Sequence, residues 1–117
     1  MIAFGKTSRI YLAKGTTDLR KSINTLAMLV QASFEMDPHD ESLYVFCNQR
    51  RNRLKILQYD RNGFWLYYKV LDSGKFAWPG ENDGVMELTE AELQWLLHGL
   101  SLMDKQSLSE PKSLYSY

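Results

Sequence analysis

An α+β fold is predicted by three features of the sequence. Near the N-terminus, apolar residues recur at steps of three and four. The middle of the chain holds three closely spaced runs rich in β-branched and aromatic residues. A second helical stretch opens on a capping signature near Thr89. Together these predict a small, mostly antiparallel sheet with a central hairpin. An N-terminal helix at about 18–34 and a C-terminal helix at about 90–99 would pack against it.

The elements follow in order. Arg9 to Ala13 is a short strand candidate ended by Gly15. Thr16, Thr17 and Asp18 then offer helix-start chemistry: a hydroxyl to cap free backbone N–H groups and a carboxylate beside the positive end of the dipole. Leu19, Ile23, Leu26, Ala27, Val30 and Phe34 form the apolar stripe of the first helix, with Arg20, Lys21, Asn24 and Gln31 outside. Asp37-Pro38-His39-Asp40 breaks the pattern. Leu43–Cys47, Arg53–Asp60 and Phe64–Leu71 read as strands, and Val85–Leu88 as a fourth after a turn-rich stretch. Thr89 and Glu92 have capping-box spacing, and Leu93, Leu96, Leu97 and Leu100 supply the buried stripe of the last helix.

Between the second and third of the central runs lies Arg61-Asn62-Gly63, a hairpin signal, and its register decides which side chains share a face. A three-residue loop with Gly63 in a bulge pairs Asp60 with Phe64. One face then gathers Leu54, Ile56, Phe64, Leu66, Tyr68 and Val70. The other gathers Arg53, Lys55, Leu57, Tyr59, Trp65, Tyr67, Lys69 and Leu71, with Lys55 opposite Lys69. Because register follows the buried face, this arrangement is the one the sequence favours.

At 117 residues the chain has the length of one domain, and 44% hydrophobic residues suffice for a core. Residues 1–103 are read as that domain and the Ser-rich stretch 104–117 as a flexible tail. No run is long and apolar enough for a membrane span, the N-terminus lacks the apolar run of a secretory signal, and a lone Cys47 allows no internal disulfide. These point to the cytoplasm and away from membranes. The 14 basic and 14 acidic residues balance, but they are segregated. Residues 1–30 carry five cations against Asp18, and residues 50–69 carry six against Asp60. Zero net charge therefore leaves room for a basic, phosphate-attracting face.

The densest constellation is Arg50, Arg51, Arg53 and Lys55, with Lys69 across the hairpin and Tyr59, Trp65 and Tyr67 as flat neighbours. Cations with rings suit nucleic acid, where the former meet phosphates and the latter stack on bases. Two other readings remain: a protein interface, and an edge hairpin that uses charge to resist aggregation. About five neutralised phosphates would give a salt slope near −4.5. Asp18, Arg20 and Lys21 form a second cluster, which either extends this surface or only caps the helix. His39 and His98 have structural explanations, and no phosphate-cradling glycine motif or nucleophile elbow is present. No catalytic residue, metal site or cofactor is expected.

A resemblance rests on the order of several short motifs. Thr17-Asp18-Leu19-Arg20-Lys21-Ser22 precedes Leu43-Tyr44-Val45-Phe46. After these come Arg50 to Leu57, Asp60, Gly63 to Lys69, and Gly74-Lys75-Phe76-Ala77-Trp78-Pro79. Across about residues 9–100 the chain resembles the TnpB accessory proteins of bacterial insertion-sequence family sixty-six. These are distinct from the RNA-guided nucleases that share the name. The resemblance implies a non-catalytic protein encoded beside a separate DDE-type transposase and needed for efficient transposition. Its partners would be DNA at the element ends, the transposase, or both, with the oligomeric state open. Two positions depart from the family pattern: Asn52, where Asp is usual, and Gln58, where an aromatic is usual.

Overall fold

The described elements run β1 (Ile10–Ala13), α1 (Ile23–Ser33), β2 (Leu43–Cys47), β3 (Arg53–Asp60), β4 (Gly63–Val70), β5 (Val85–Leu88) and α2 (Glu90–Leu97). They come from a computed structural model that describes residues 9–80 and 84–99. The expected boundary between domain and tail at 103/104, and Leu100 of the predicted helical stripe, lie outside the described residues.

The strands form one open sheet in the order β4-β3-β2-β1-β5. Only β1 and β2 are parallel, and α1 makes the crossover that a parallel pair requires; the other pairings are antiparallel. The α+β prediction holds. The hairpin, central in the chain, lies to one side of the sheet, with β4 as an edge strand.

One helix covers each face. Leu93 and Leu96 of α2 pack with Ile10, Leu12, Leu43, Val45, Leu54 and Ile56. Leu26, Ala27 and Val30 of α1 pack with Ala13, Tyr44, Phe46 and Leu57 on the opposite side. All five residues of β2 are buried, which is why that strand reads as an unbroken apolar run rather than an alternation.

The first helix starts later than the sequence suggests. Ser22, not Thr17 or Asp18, is its N-cap, accepting from Thr25 N–H. Asp18 is occupied locally: its carboxylate accepts from the Arg20 backbone N–H at 3.0 Å and from the Arg20 guanidinium. Thr17 N–H donates to Cys47 O at 2.8 Å and so ties this connection to the end of β2. Residues 16–21 are therefore a turn laid across the sheet end. The second helix keeps its predicted capping box, with Thr89 and Glu92 each satisfying the other's N–H.

The hairpin register also differs from the expected one. Asp60 pairs with Gly63, not Phe64, across a two-residue Arg61-Asn62 turn in which Arg61, rather than glycine, takes a positive φ of 56°. Lys55 consequently faces Tyr68, not Lys69, and the two strands share faces in a new combination. Arg53, Lys55, Leu57, Tyr59, Phe64, Leu66, Tyr68 and Val70 lie on the α1 face. Leu54, Ile56, Gln58, Trp65, Tyr67 and Lys69 lie on the α2 face. The rule that register follows the buried face assumes one buried face. Here helices cover both, so apolar residues on either side satisfied the pattern.

The segment after β4 straps the structure together. Phe76 and Trp78 are buried in the α2-side core, and the Trp78 indole N–H donates to Ala13 O at 3.0 Å. Cys47, also buried there, has its thiol pushed up to about 12 by desolvation and packs as a small apolar residue. Among the described residues no helix is long and apolar enough to cross a membrane.

Candidate functional site

The connections that leave the carboxyl ends of the parallel strands β1 and β2 meet beyond the sheet, where α/β sheets commonly bind ligands. Between them lies a cleft of about 770 Å³ lined by Thr16, Thr17, Asp18, Leu19 and Arg20 on one side. Asn48, Gln49, Arg50, Asn52 and Arg53 line the other, with Tyr68 at the rim. Arg20, distant in sequence from Arg50 and Arg53, thus shares one concavity with them.

Local chemistry shapes the loop that carries the arginines. The Asn48 side-chain oxygen accepts from the backbone N–H groups of Asn52 and Arg53, and its amide donates to Asn52 Oδ1 at 2.9 Å. Only an acceptor is required of residue 52, so an aspartate there would serve equally well. The departure at Asn52 keeps that hydrogen bond and leaves the cleft lining with one negative charge fewer than an aspartate would give.

The cations differ in what holds them. The Arg20 guanidinium beside Asp18 holds that carboxyl down at about 2, and the pair sits on the surface at 2.9 Å. The Arg53 guanidinium donates to the Tyr68 hydroxyl at 3.0 Å. Lys55 donates to Leu19 O at 2.6 Å and lies 5.1 Å from the Tyr68 ring centre, a cation–π distance. Arg50 has no hydrogen-bond or ion-pair partner among the described residues. The cleft therefore presents Arg20, Arg50 and Arg53 against the single carboxylate of Asp18.

Other expected members stand elsewhere. Arg51 turns away from the cleft with φ 61°: its guanidinium donates to Trp78 O at 3.0 Å, and its carbonyl accepts from Phe76 N–H. A Cβ on Gly80 would come within 2.2 Å of that guanidinium, so glycine makes room for it. Arg51 belongs to the strap. Lys21 lines a smaller hollow on the other side of the 16–18 turn, with Lys14. Lys69 is on the opposite face of the sheet, where its ammonium donates to Leu97 O at 3.0 Å near the end of α2.

The flat neighbours are split as well. Trp65 and Tyr67 stack on each other on the α2 face, with 18° between their planes. Their polar atoms donate to Asp60 and Gln58. Gln58 is thereby engaged on the α2-side core face and stands outside the cleft. Tyr59 joins His39 and Phe64 in a ring cluster on the α1 face, away from the cleft lining. The ring that does accompany the arginines is Tyr68, which sequence reasoning assigned to the core. A hairpin turn centred on Arg61-Asn62 would have identified it. Among the described residues no cluster of histidine, cysteine or carboxylate groups could hold a metal ion.

Residues 8–107 match the family model described as IS66 Orf2 like protein. The chain is similar to two curated proteins from Sinorhizobium fredii (strain NBRC 101917 / NGR234). It is 33% identical to uncharacterized protein y4hO over 95% of this chain and 96% of that one. It is 34% identical to uncharacterized protein y4jC over 86% of each. No solved structure matches the chain.

Proposed function

The chain belongs to the IS66 Orf2-like family, whose implied role is accessory to transposition, and from that premise we propose that it binds DNA at the element ends through the Arg20–Arg50–Arg53 cleft. It acts without catalysing strand transfer, which falls to the separate transposase. The observation that carries this reading is the convergence of three arginines, from the β1–α1 connection, the β2–β3 loop and the start of β3, on one concave surface with a single carboxylate. Arg50 is free to meet a phosphate. Arg53 is pre-positioned by Tyr68, so little side-chain entropy is lost when it meets a phosphate. Lys21, in the neighbouring hollow, extends the positive potential along the sheet end.

The cleft supports a smaller electrostatic footprint than the six-cation count of the central region suggested, since Arg51 and Lys69 are committed elsewhere. About three neutralised phosphates give a salt slope near −2.7, or roughly a fortyfold loss of affinity between 50 and 200 mM salt. The test is a fluorescence-anisotropy titration of element-end duplex DNA over a salt series, with and without the transposase. The wild type is run beside an Arg50→Glu/Arg53→Glu variant. Salt-dependent binding to bare DNA that the variant loses is the expected result. Binding only to the transposase, persisting at high salt, would replace the reading with that of a protein adaptor.

A further inference from the structure

The two edges of the sheet are built differently. β5 has four residues, with Glu87 among them. β4 has eight residues, with no proline and Lys69 as its single charge. Three of its side chains are large and exposed: Trp65 at 55%, Tyr68 at 51% and Val70 at 48%. Long, uncharged edges are templates for strand addition, and folds normally protect them with charge, proline or a bulge. β4 has almost none of that protection.

The phase of its free hydrogen-bonding groups can be derived. Leu71 N–H donates to Asn52 O, so odd-numbered residues of β4 turn their backbone toward β3. In an antiparallel ladder the direction alternates, which turns the N–H and C=O groups of Phe64, Leu66, Tyr68 and Val70 to the open edge. An antiparallel copy of the same strand that uses all four residues has a single register, in which Phe64 meets Val70 and Leu66 meets Tyr68. That register places Tyr67 opposite Tyr67 and Trp65 opposite Lys69, both on the α2 face.

We propose that β4 is the dimerisation edge, pairing with β4 of a second copy about a two-fold axis at Tyr67 to give one ten-stranded sheet. The charge pattern favours a second copy. The lone cation of the strand meets an indole rather than its own image, and it does so twice by symmetry. Pairing in this way closes the assembly, because each copy uses its one long edge and leaves only short β5 strands outside. The pairing is independent of the nucleic-acid reading. It leaves both clefts open on the same face of the joined sheet.

The test is sedimentation equilibrium of the full chain over a wide concentration range, with hydrogen exchange followed by NMR. The expected result is a concentration-dependent dimer in which the amides of Phe64, Leu66, Tyr68 and Val70 become protected as it forms. Trp65→Lys sets lysine opposite Lys69 in both symmetric pairs and should weaken the dimer about thirtyfold or more. Trp65→Lys/Lys69→Glu should restore it, since opposite charges then face each other. Circular dichroism confirms that each variant is folded. A wild type that stays monomeric overturns the proposal, as does a dimer that ignores Trp65→Lys. Protection of those four amides in a monomer does so too, because it would mean that another part of the chain covers the edge.

Discussion

The two faces of the β3–β4 hairpin carry a similar inventory, rings beside cations, yet they use it differently. On the α1 face Arg53 and Lys55 gather around Tyr68 at the mouth of a cleft completed by Arg20 and Arg50. On the α2 face Lys69 is held by the last turn of a helix, and Trp65 and Tyr67 stack on each other. The difference teaches that a patch of basic and aromatic residues in sequence is not yet a surface. A shift of one residue in the turn exchanged Trp65 and Tyr67 for Tyr68 as the companions of Arg53 and Lys55.

The sharpest way to break this comparison is to make the same charge change on each face. Arg53→Glu should lower affinity for element-end DNA by roughly thirtyfold at 0.15 M salt, about half of it in logarithmic terms from the lost phosphate contact and the rest from repulsion. Lys69→Glu should change it by less than about threefold. Anisotropy titrations of the two variants decide the matter, and equal losses would erase the distinction between the faces.

Next in size is a stability effect that separates Arg51 from its neighbours. Removing the charged donor to Trp78 O in Arg51→Ala should cost about 2 kcal/mol, read as a fall in Tm of roughly 10 °C. DNA affinity of the folded protein should stay within about twofold of wild type. Arg50→Ala should do the reverse, leaving Tm in place while the salt slope shrinks by about 0.9. Thermal melts and salt titrations of the two variants test both.

The smallest effect concerns Asp18. Its carboxyl is depressed from 3.8 to about 2, chiefly by the Arg20 side-chain hydrogen bond. A depressed carboxylate contributes to stability above its unfolded value, and that contribution is lost as pH falls through the folded one. The Asp18–Arg20 pair should therefore be intact throughout the neutral range and break only between about pH 4 and 2. A carboxyl NMR titration checks the midpoint. Asp18→Asn removes the one negative group of the cleft and should strengthen DNA binding about two- to threefold, equally at pH 6 and pH 8.

Much of this was legible in the residues. The capping box at Thr89 and Glu92 fixed the start of α2, and the run Leu43–Cys47 marked the strand β2. What the sequence could not show depended on contacts made at a distance. Ser22 rather than Thr17 capped α1 because Asp18 found Arg20 first and Thr17 found Cys47. The hairpin turn was misplaced because Gly63 was the obvious candidate for a positive φ, whereas Arg61 adopts it. Arg51 looked like its neighbours until Gly80, far along the chain, left room for its guanidinium.

That strap has a consequence for how the binding loop behaves. Residues 48–53 are fastened through Arg51 to Trp78, and Trp78 is fastened to Ala13, so both walls of the cleft are moored to the same strand. The spacing of the two backbone connections that carry the arginines is thereby set before any ligand arrives, much as the jaws of a calliper are set by a shared screw. Cutting the Arg51 side-chain tie alone leaves the Phe76 N–H and Leu71 N–H bonds to the loop in place, so that spacing survives the single loss.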